Sequence, residues 1–377
     1  MQTDQIKPDL KILIAPLDWG LGHATRCIPI IRYLLQNNYQ VTLAGEGAVA
    51  TLLKSNFPEL EILPLQGYRI GYSNTAAGFA TKILAQIPKI LRAVKAEKEW
   101  LERIQSQYSF DLIISDNRYG LKIKGAPSVI MTHQLQIQSG TGNTIDKLLK
   151  WLHYRILEKF DDCWIVDHGG DNNLGGSLSH PEKIPSNGKY IGLLSQLNPM
   201  PVSSQSDQKE ILVLLSGPEP MRGILEETIL AQLGTEKQYH FNIVAGNPAG
   251  SVPENLPDHV TYQTHLNAVQ INELMQKSAL VICRSGYSTL MDLVVMKKRA
   301  LLIPTPGQAE QEYLGKRLLD QGVSFCQNQS LLNLNTDIPL ALTFPGFQQF
   351  NNRNDFRVVL NDLLDKLRQR SITDNQL

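Results

Sequence analysis

The sequence is short of several features that would each point to a class of function. Its charges cancel, 36 Lys and Arg against 36 Asp and Glu, so no global field draws the chain to nucleic acid or to an anionic membrane. Cysteine is scarce: four residues, at 27, 163, 283 and 326, with no Cys-x-x-Cys pair. Three of them lie in or beside apolar runs, where a thiol behaves as a small buried hydrophobe. The eight histidines show no paired metal-ligand spacing. Asp161-Asp162 lacks further ligands and reads as a turn. The Gly-Lys-Ser/Thr of a P-loop is missing, which argues against ATP hydrolysis. No uncharged apolar run approaches the ~20 residues needed to span a bilayer, and residues 1–9 carry no apolar signal region. A reduced, cytoplasmic setting is the expectation.

What is present is a repeated strand-turn-helix rhythm. A chain of 377 residues is expected to form about two domains, each with its own core. Residues 11–17 read as a buried strand, 18–23 as the loop after it, and 24–36 as a helix with Cys27, Ile30, Ile31, Leu34 and Leu35 at helical spacing. Strands at 41–44 and 60–65, a helix over about 80–106, and strands at 111–115, 128–132, 163–166 and 190–194 follow. This alternation predicts a parallel sheet in an α/β fold. Residues 195–208, rich in Ser, Pro, Asn and Gln, are the best linker. The rhythm then restarts with strands at 210–215, 241–245, 260–262, 279–283 and 300–303, and a last helix spans 355–368.

Polar residues gather where the strands stop, which is where parallel sheets bind ligands. The stretch Arg284-Ser-Gly-Tyr-Ser-Thr-Leu-Met-Asp292 starts a helix with small residues, so backbone N–H groups there can face an anion. Asp292, further along that helix, can take a sugar hydroxyl. Ser216-Gly217 is a similar but weaker turn, because Pro218 and Pro220 remove backbone donors. In the first half, Gly20-Leu-Gly-His23 with Glu46 invites a dinucleotide reading, but Thr25 stands where a third Gly or Ala should allow close helix–strand contact. A tight turn explains those glycines and leaves His23 unexplained. At a helix N-terminus the protonated imidazole is disfavoured, which suits a general base. Asp116 and His133 end strands of the same sheet; the first could orient a histidine or accept a proton, or merely cap a turn.

Together, Gly20-Leu-Gly-His23, Cys283-Arg-Ser-Gly286 with Asp292, and Gln308-Ala-Glu-Gln-Glu-Tyr313 resemble GT-B glycosyltransferases of family 28, which includes the peptidoglycan N-acetylglucosaminyltransferase and the monogalactosyldiacylglycerol synthases. The resemblance implies two Rossmann-like domains facing across a cleft: residues 1–197, joined by a C-terminal helix at 352–370, on the acceptor side, and residues 209–345 holding the nucleotide-sugar. It implies donor binding by Gly22, Ser216, Gly217, His265, Leu266, Arg284, Ser285, Gly286, Asp292 (where the family usually has Glu), Gln308, Gln311 and Glu312. His265-Leu266 would recognise uracil, Ser285-Gly286 the diphosphate, Asp292 the ribose, and Gln308 to Glu312 the sugar. His23 or Asp116 would be the catalytic base, with His133 on the acceptor side. The implied reaction transfers a sugar from a UDP-sugar to an acceptor hydroxyl, with no cofactor and no metal. The implied acceptor is lipid-linked or small, with no nucleic-acid partner. Basic residues over 82–98 and 146–160 leave peripheral contact with the inner membrane face open. A UDP-sugar 2-epimerase and a non-catalytic nucleotide-sugar-binding protein are the alternatives. Ser216-Gly-Pro-Glu-Pro220 and His133-Gln134 depart from the peptidoglycan enzyme's motifs, so that particular reaction is not implied.

Overall fold

A computed structural model describes residues 10–69, 76–136, 143–199, 207–217, 219–235, 237–350 and 355–374. Residues 1–9, Pro218, and parts of the expected 67–78 loop, the 195–208 linker and the 352–370 helix segment lie outside them. The described residues divide into two compact units, one of residues up to 71, 81–194 and the C-terminal helix, the other of 72–80, which takes in the first residues of the long helix, and 195–351.

The first unit runs β1 (Lys11–Pro16), α1 (Leu21–Gln36), β2 (Gln40–Gly45), α2 (Gly47–Asn56), β3 (Ile62–Pro64), α3 (Ala76–Tyr108), β4 (Leu112–Asp116), β5 (Ser128–Thr132), α4 (Asn143–Leu157), β6 (Asp162–Ile165) and β7 (Gly188–Tyr190). Its sheet has the order β3-β2-β1-β4-β5-β6-β7, and every pairing is parallel. From Ile12 onward β1 is buried at each position, as a parallel strand covered on both faces must be. Helix α1 buries Ala24, Cys27, Ile28, Ile30, Ile31 and Leu34, the face its spacing predicts.

The second unit runs β8 (Asp207–Leu214), α5 (Met221–Leu233), β9 (His240–Val244), β10 (Val260–Gln263), α6 (Ala268–Lys277), β11 (Ser278–Cys283), α7 (Tyr287–Val295), β12 (Ala300–Leu302), α8 (Ala309–Asp320), β13 (Phe325–Cys326) and α9 (Leu334–Thr343). The order is β10-β9-β8-β11-β12-β13, again wholly parallel. The last two elements are absent from the sequence reading: β13 has two residues, and α9 contains Pro339, which reads as a breaker. Helix α10 (Phe356–Asp374) returns to the first unit, where Tyr33 donates to Asn361 Oδ1 at 2.9 Å and stacks edge-on against Phe356.

In each sheet the strand order reverses once, between β1 and β4 and between β8 and β11. Loops leaving such a pair diverge to opposite faces and open a crevice at the carboxyl ends of the strands. Those two crevices hold most of the residues singled out from the sequence.

Candidate functional site

At the first crevice, β1 leads into α1 through Gly20, whose φ of +104° is backbone that favours glycine. The turn puts His23 in the first turn of α1, beside Asp116, the last residue of β4. His23 Nδ1 lies 3.1 Å from Asp116 Oδ2. His133, just past β5, is buried close by. The residue that joins all three is one the sequence reading missed. Arg26, 1% exposed, donates from Nε to Asp116 Oδ2 at 2.7 Å and from a terminal nitrogen to Asp116 Oδ1. Its other terminal nitrogen lies 2.7 Å from His133 Nδ1. Gly22 serves the helix instead, accepting from Thr25 Oγ1 through its carbonyl.

Burial alone would raise the Asp116 pKa, but Arg26 and then His23 outweigh it and hold the carboxyl down to about 2. It is therefore ionised at neutral pH. Burial is also the main reason that the His23 pKa is lowered; Arg26 adds to this and Asp116 opposes it. A mostly buried neutral imidazole next to a fixed carboxylate follows. A carboxylate only accepts and a guanidinium only donates, so the two neighbours of Nδ1 favour different tautomers. The contact to Asp116 puts the hydrogen on Nδ1 and the lone pair on Nε2. The contact from Arg26, at 3.0 Å, is served by the reverse. Nε2 has no hydrogen-bond partner among the described residues.

Behind this edge a second buried network fixes the loops. Arg118 donates to the carbonyls of Pro16 at 2.8 Å and Gln66 at 3.0 Å, and to Glu97 Oε1 at 3.0 Å. Glu97 Oε2 accepts from the Tyr68 hydroxyl at 2.8 Å and the Gly120 amide at 2.9 Å. Loops after β1, β3 and β4 are thereby tied to α3. Glu46, considered above as a ribose acid, instead pairs with Arg69 at 3.0 Å and accepts from the Gly67 amide.

At the second crevice, α7 begins at Gly286 with no side-chain cap, and a Cβ built there meets nothing within 4 Å. Helix α5, at the end of β8, is different. Its N-terminal region is already met by Glu219, which accepts from the Gly223 amide at 3.1 Å and from Arg222 Nε at 2.6 Å. Of the two helix ends, the one at α7 is the better place for an anion. Ser216 and Gly217 are exposed beside it, at the end of β8. Arg284, expected to bind donor, is 1% exposed. It donates to the carbonyls of Ile303, Pro304 and Met221, so it ties the loops after β8, β11 and β12 together. Gln311 and Glu312 fold back on the loop before their own helix. Gln311 accepts from the Thr305 amide at 2.9 Å and donates to Gln308 Oε1 at 2.6 Å, while Glu312 accepts from the Gly307 amide at 2.8 Å. Ser285 Oγ donates to the Gln311 carbonyl. His265 is exposed after β10 and Leu266 is buried, both held by the capping box of Asn267 and Gln270 at the start of α6.

Asp292, in the second turn of α7, accepts from the hydroxyl of Ser195 at 2.5 Å. Burial pushes its carboxyl up to about 7, against the opposing effect of Ser195. A folded-state pKa above the ordinary aspartate value of 3.8 makes this group's stabilising contribution complete in acid and lost as pH rises through about 7. Melting temperatures of Asp292→Asn and of the unaltered protein should therefore diverge in the variant's favour as pH rises from about 4 to about 8. Parallel curves would mean that Asp292 is ionised in the fold throughout.

Among the described residues no group of three or more His, Cys, Asp or Glu is arranged to hold a metal ion, and no helix is long and apolar enough to cross a membrane. Residues 224–343 match the glycosyltransferase family 28 C-terminal domain. The chain thus carries a family 28 glycosyltransferase domain, and its fold resembles that of GT-B glycosyltransferases. An uncharacterized glycosyltransferase of Methanosarcina acetivorans is 22% identical over 327 residues, 80% of this chain and 82% of the relative. The UDP-N-acetylglucosamine--N-acetylmuramyl-(pentapeptide) pyrophosphoryl-undecaprenol N-acetylglucosamine transferase of Shewanella frigidimarina is 22% identical over 352 residues, 88% and 87% of the two chains. In fold, this glycosyltransferase is similar to the crystal structure of the glycotransferase of kitacinnamycin, with a TM-score of 0.62 at 14% identity, covering 95% of this chain and 94% of the other. Glycosyl transfer is thus the activity, and the comparisons lend the epimerase alternative no support.

Proposed function

We propose that this glycosyltransferase takes its sugar from a UDP-sugar bound by the second unit and passes it to an acceptor hydroxyl deprotonated by His23. The observation that carries the reading is the α7 N-terminus, left without a side-chain cap at Gly286 and followed within the same helix by the half-buried carboxyl of Asp292. A diphosphate at Ser285-Gly286 would place its nucleoside so that Asp292 accepts from the ribose hydroxyls, with the base toward His265-Leu266 and the sugar toward Gln308. In the reaction the acceptor oxygen attacks the anomeric carbon as its proton passes to His23 Nε2. The bond from that carbon to the β-phosphate oxygen breaks, and the electron pair leaves on UDP. The partial positive charge of the helix end stabilises the departing diphosphate, so the reading calls for no metal.

Isothermal titration with UDP tests the donor half. Asp292→Ala should weaken UDP about tenfold or more, the loss of a hydrogen bond to a charged group. Binding to the unaltered protein should release protons, because two ribose hydroxyls can donate to both oxygens of the ionised carboxylate, whereas the neutral acid keeps a proton on one of them. No UDP affinity in the intact protein would sink the assignment.

The acceptor is the less defined partner. On α4, Trp151 is 52% and Leu152 45% exposed, and Arg155 stacks over the Trp151 ring at 4.8 Å. An aromatic and a leucine amid basic side chains suit a surface seated at a bilayer interface. This supports a lipid-linked acceptor reached from the cytoplasmic face of the membrane, the acceptor type in the Shewanella relative's name.

A further inference from the structure

Thr305 follows β12 and is 2% exposed. Its hydroxyl oxygen is buried and has no hydrogen-bond partner among the described residues. The rest of its turn is fully braced: its amide donates to Gln311 Oε1, its carbonyl accepts from Gln308 at 3.1 Å, and the preceding Pro304 carbonyl accepts from Arg284. An unmet hydroxyl in so ordered a turn is costly, and a ligand that brings an acceptor would remove that cost.

The sheet shows where that hydroxyl lies. β8 and β12 are the two neighbours of β11, so loops from their carboxyl ends can meet only above the end of β11. They do: a Cβ built on Gly217, in the loop after β8, would come 4.0 Å from Thr305 Oγ1. With φ at +101°, Gly217 has a backbone that favours glycine and brings no side chain toward that oxygen. The oxygen therefore lies between the loops after β8 and β12, on the edge of the sheet where β11 leads into α7.

We propose that Thr305 is a donor-binding residue, its hydroxyl donating to the diphosphate that leaves from the α7 N-terminus. The inference rests on the reading of that end as the diphosphate site. A hydroxyl donor adds to the backbone dipole without adding charge, and it becomes satisfied only when an anion is present. Contact requires the Gly217 turn to open slightly, which that glycine's freedom permits.

The test compares Thr305→Val, which keeps the shape and removes the hydroxyl, with Thr305→Ser, which keeps the hydroxyl. Titrations with UDP and with uridine, and melting curves without ligand, are run on all three proteins. The expected result is a UDP affinity about tenfold lower in Thr305→Val, uridine affinity unchanged, and recovery in Thr305→Ser. The ligand-free Thr305→Val protein should melt no lower than the unaltered one, since an unpaired buried hydroxyl has been removed. Unchanged UDP affinity in Thr305→Val, or an equal loss for UDP and uridine, would overturn the role of Thr305 alone. Absence of UDP affinity in the unaltered protein would instead overturn the diphosphate site, and the role of Thr305 with it.

Discussion

His23→Ala is expected to slow turnover by about 10²–10⁴-fold, the usual contribution of a positioned general base, while leaving UDP affinity unchanged. The separation follows from the architecture: His23 belongs to the first unit, whereas every residue proposed to grip the donor's nucleoside diphosphate lies in the second. The pH profile sharpens the test. Burial and Arg26 lower the His23 pKa from the ordinary histidine value of 6.5, so the base stays unprotonated through neutral pH. The rate should fall only as pH drops below the ordinary histidine range, and the alanine variant should lose that acid limb. Asp116→Asn should reproduce part of the loss, because an amide can donate to Nδ1 and thereby stabilise the tautomer with its lone pair on the wrong nitrogen. A His23→Ala enzyme with normal turnover would move the base elsewhere.

The second large effect concerns stability. Arg26→Met should destabilise the protein by about 3–5 kcal/mol, the typical consequence of leaving one partner of a buried ion pair uncompensated. Arg26 is the main group that overcomes burial and keeps Asp116 ionised. The native carboxylate contributes stability above the ordinary aspartate value of 3.8 and loses it as pH falls toward about 2. Without Arg26 the same carboxyl resists ionisation, so its sign reverses. Denaturant titrations should show the gap between the two proteins widening from acid to neutral pH. Arg26→Met with Asp116→Asn should recover much of the loss, since no charge is then stranded. Equal penalties in the single and double variants would show that packing, not charge, is at stake.

The parallel sheets were legible because buried apolar runs alternate with helical spacing, and because polar residues punctuate the strand ends. His23, Asp116 and His133 could be singled out on that ground, and the structure brings them together. Arg26 was hidden by the pattern that revealed α1: it lies among Ala24, Cys27, Ile28 and Ile30, and a periodicity reading discounts a lone polar residue there. A cation on the buried face of a helix, one turn after a histidine, was the available signal. Side-chain direction was beyond reach in the second unit. Nothing in Gln308-Ala-Glu-Gln-Glu says that Gln311 and Glu312 fold back to brace the turn, or that Arg284 faces backbone carbonyls. Short elements also escaped: β13 is too brief to show a period, and Pro339 masks α9.

The Glu97–Arg118–Tyr68 network has an evolutionary consequence. It ties the loops after β1, β3 and β4 from inside, so their outer residues are relieved of holding the backbone. Gly120 is locked with it, since a Cβ there would fall 2.3 Å from the Val94 carbonyl oxygen and 2.5 Å from Glu97 Cβ. Under the proposed reaction, lineages can rewrite the exposed rim and so change which acceptor is taken, while these interior positions drift little. Acceptor range should therefore diversify faster among descendants of this chain than the scaffold that carries it.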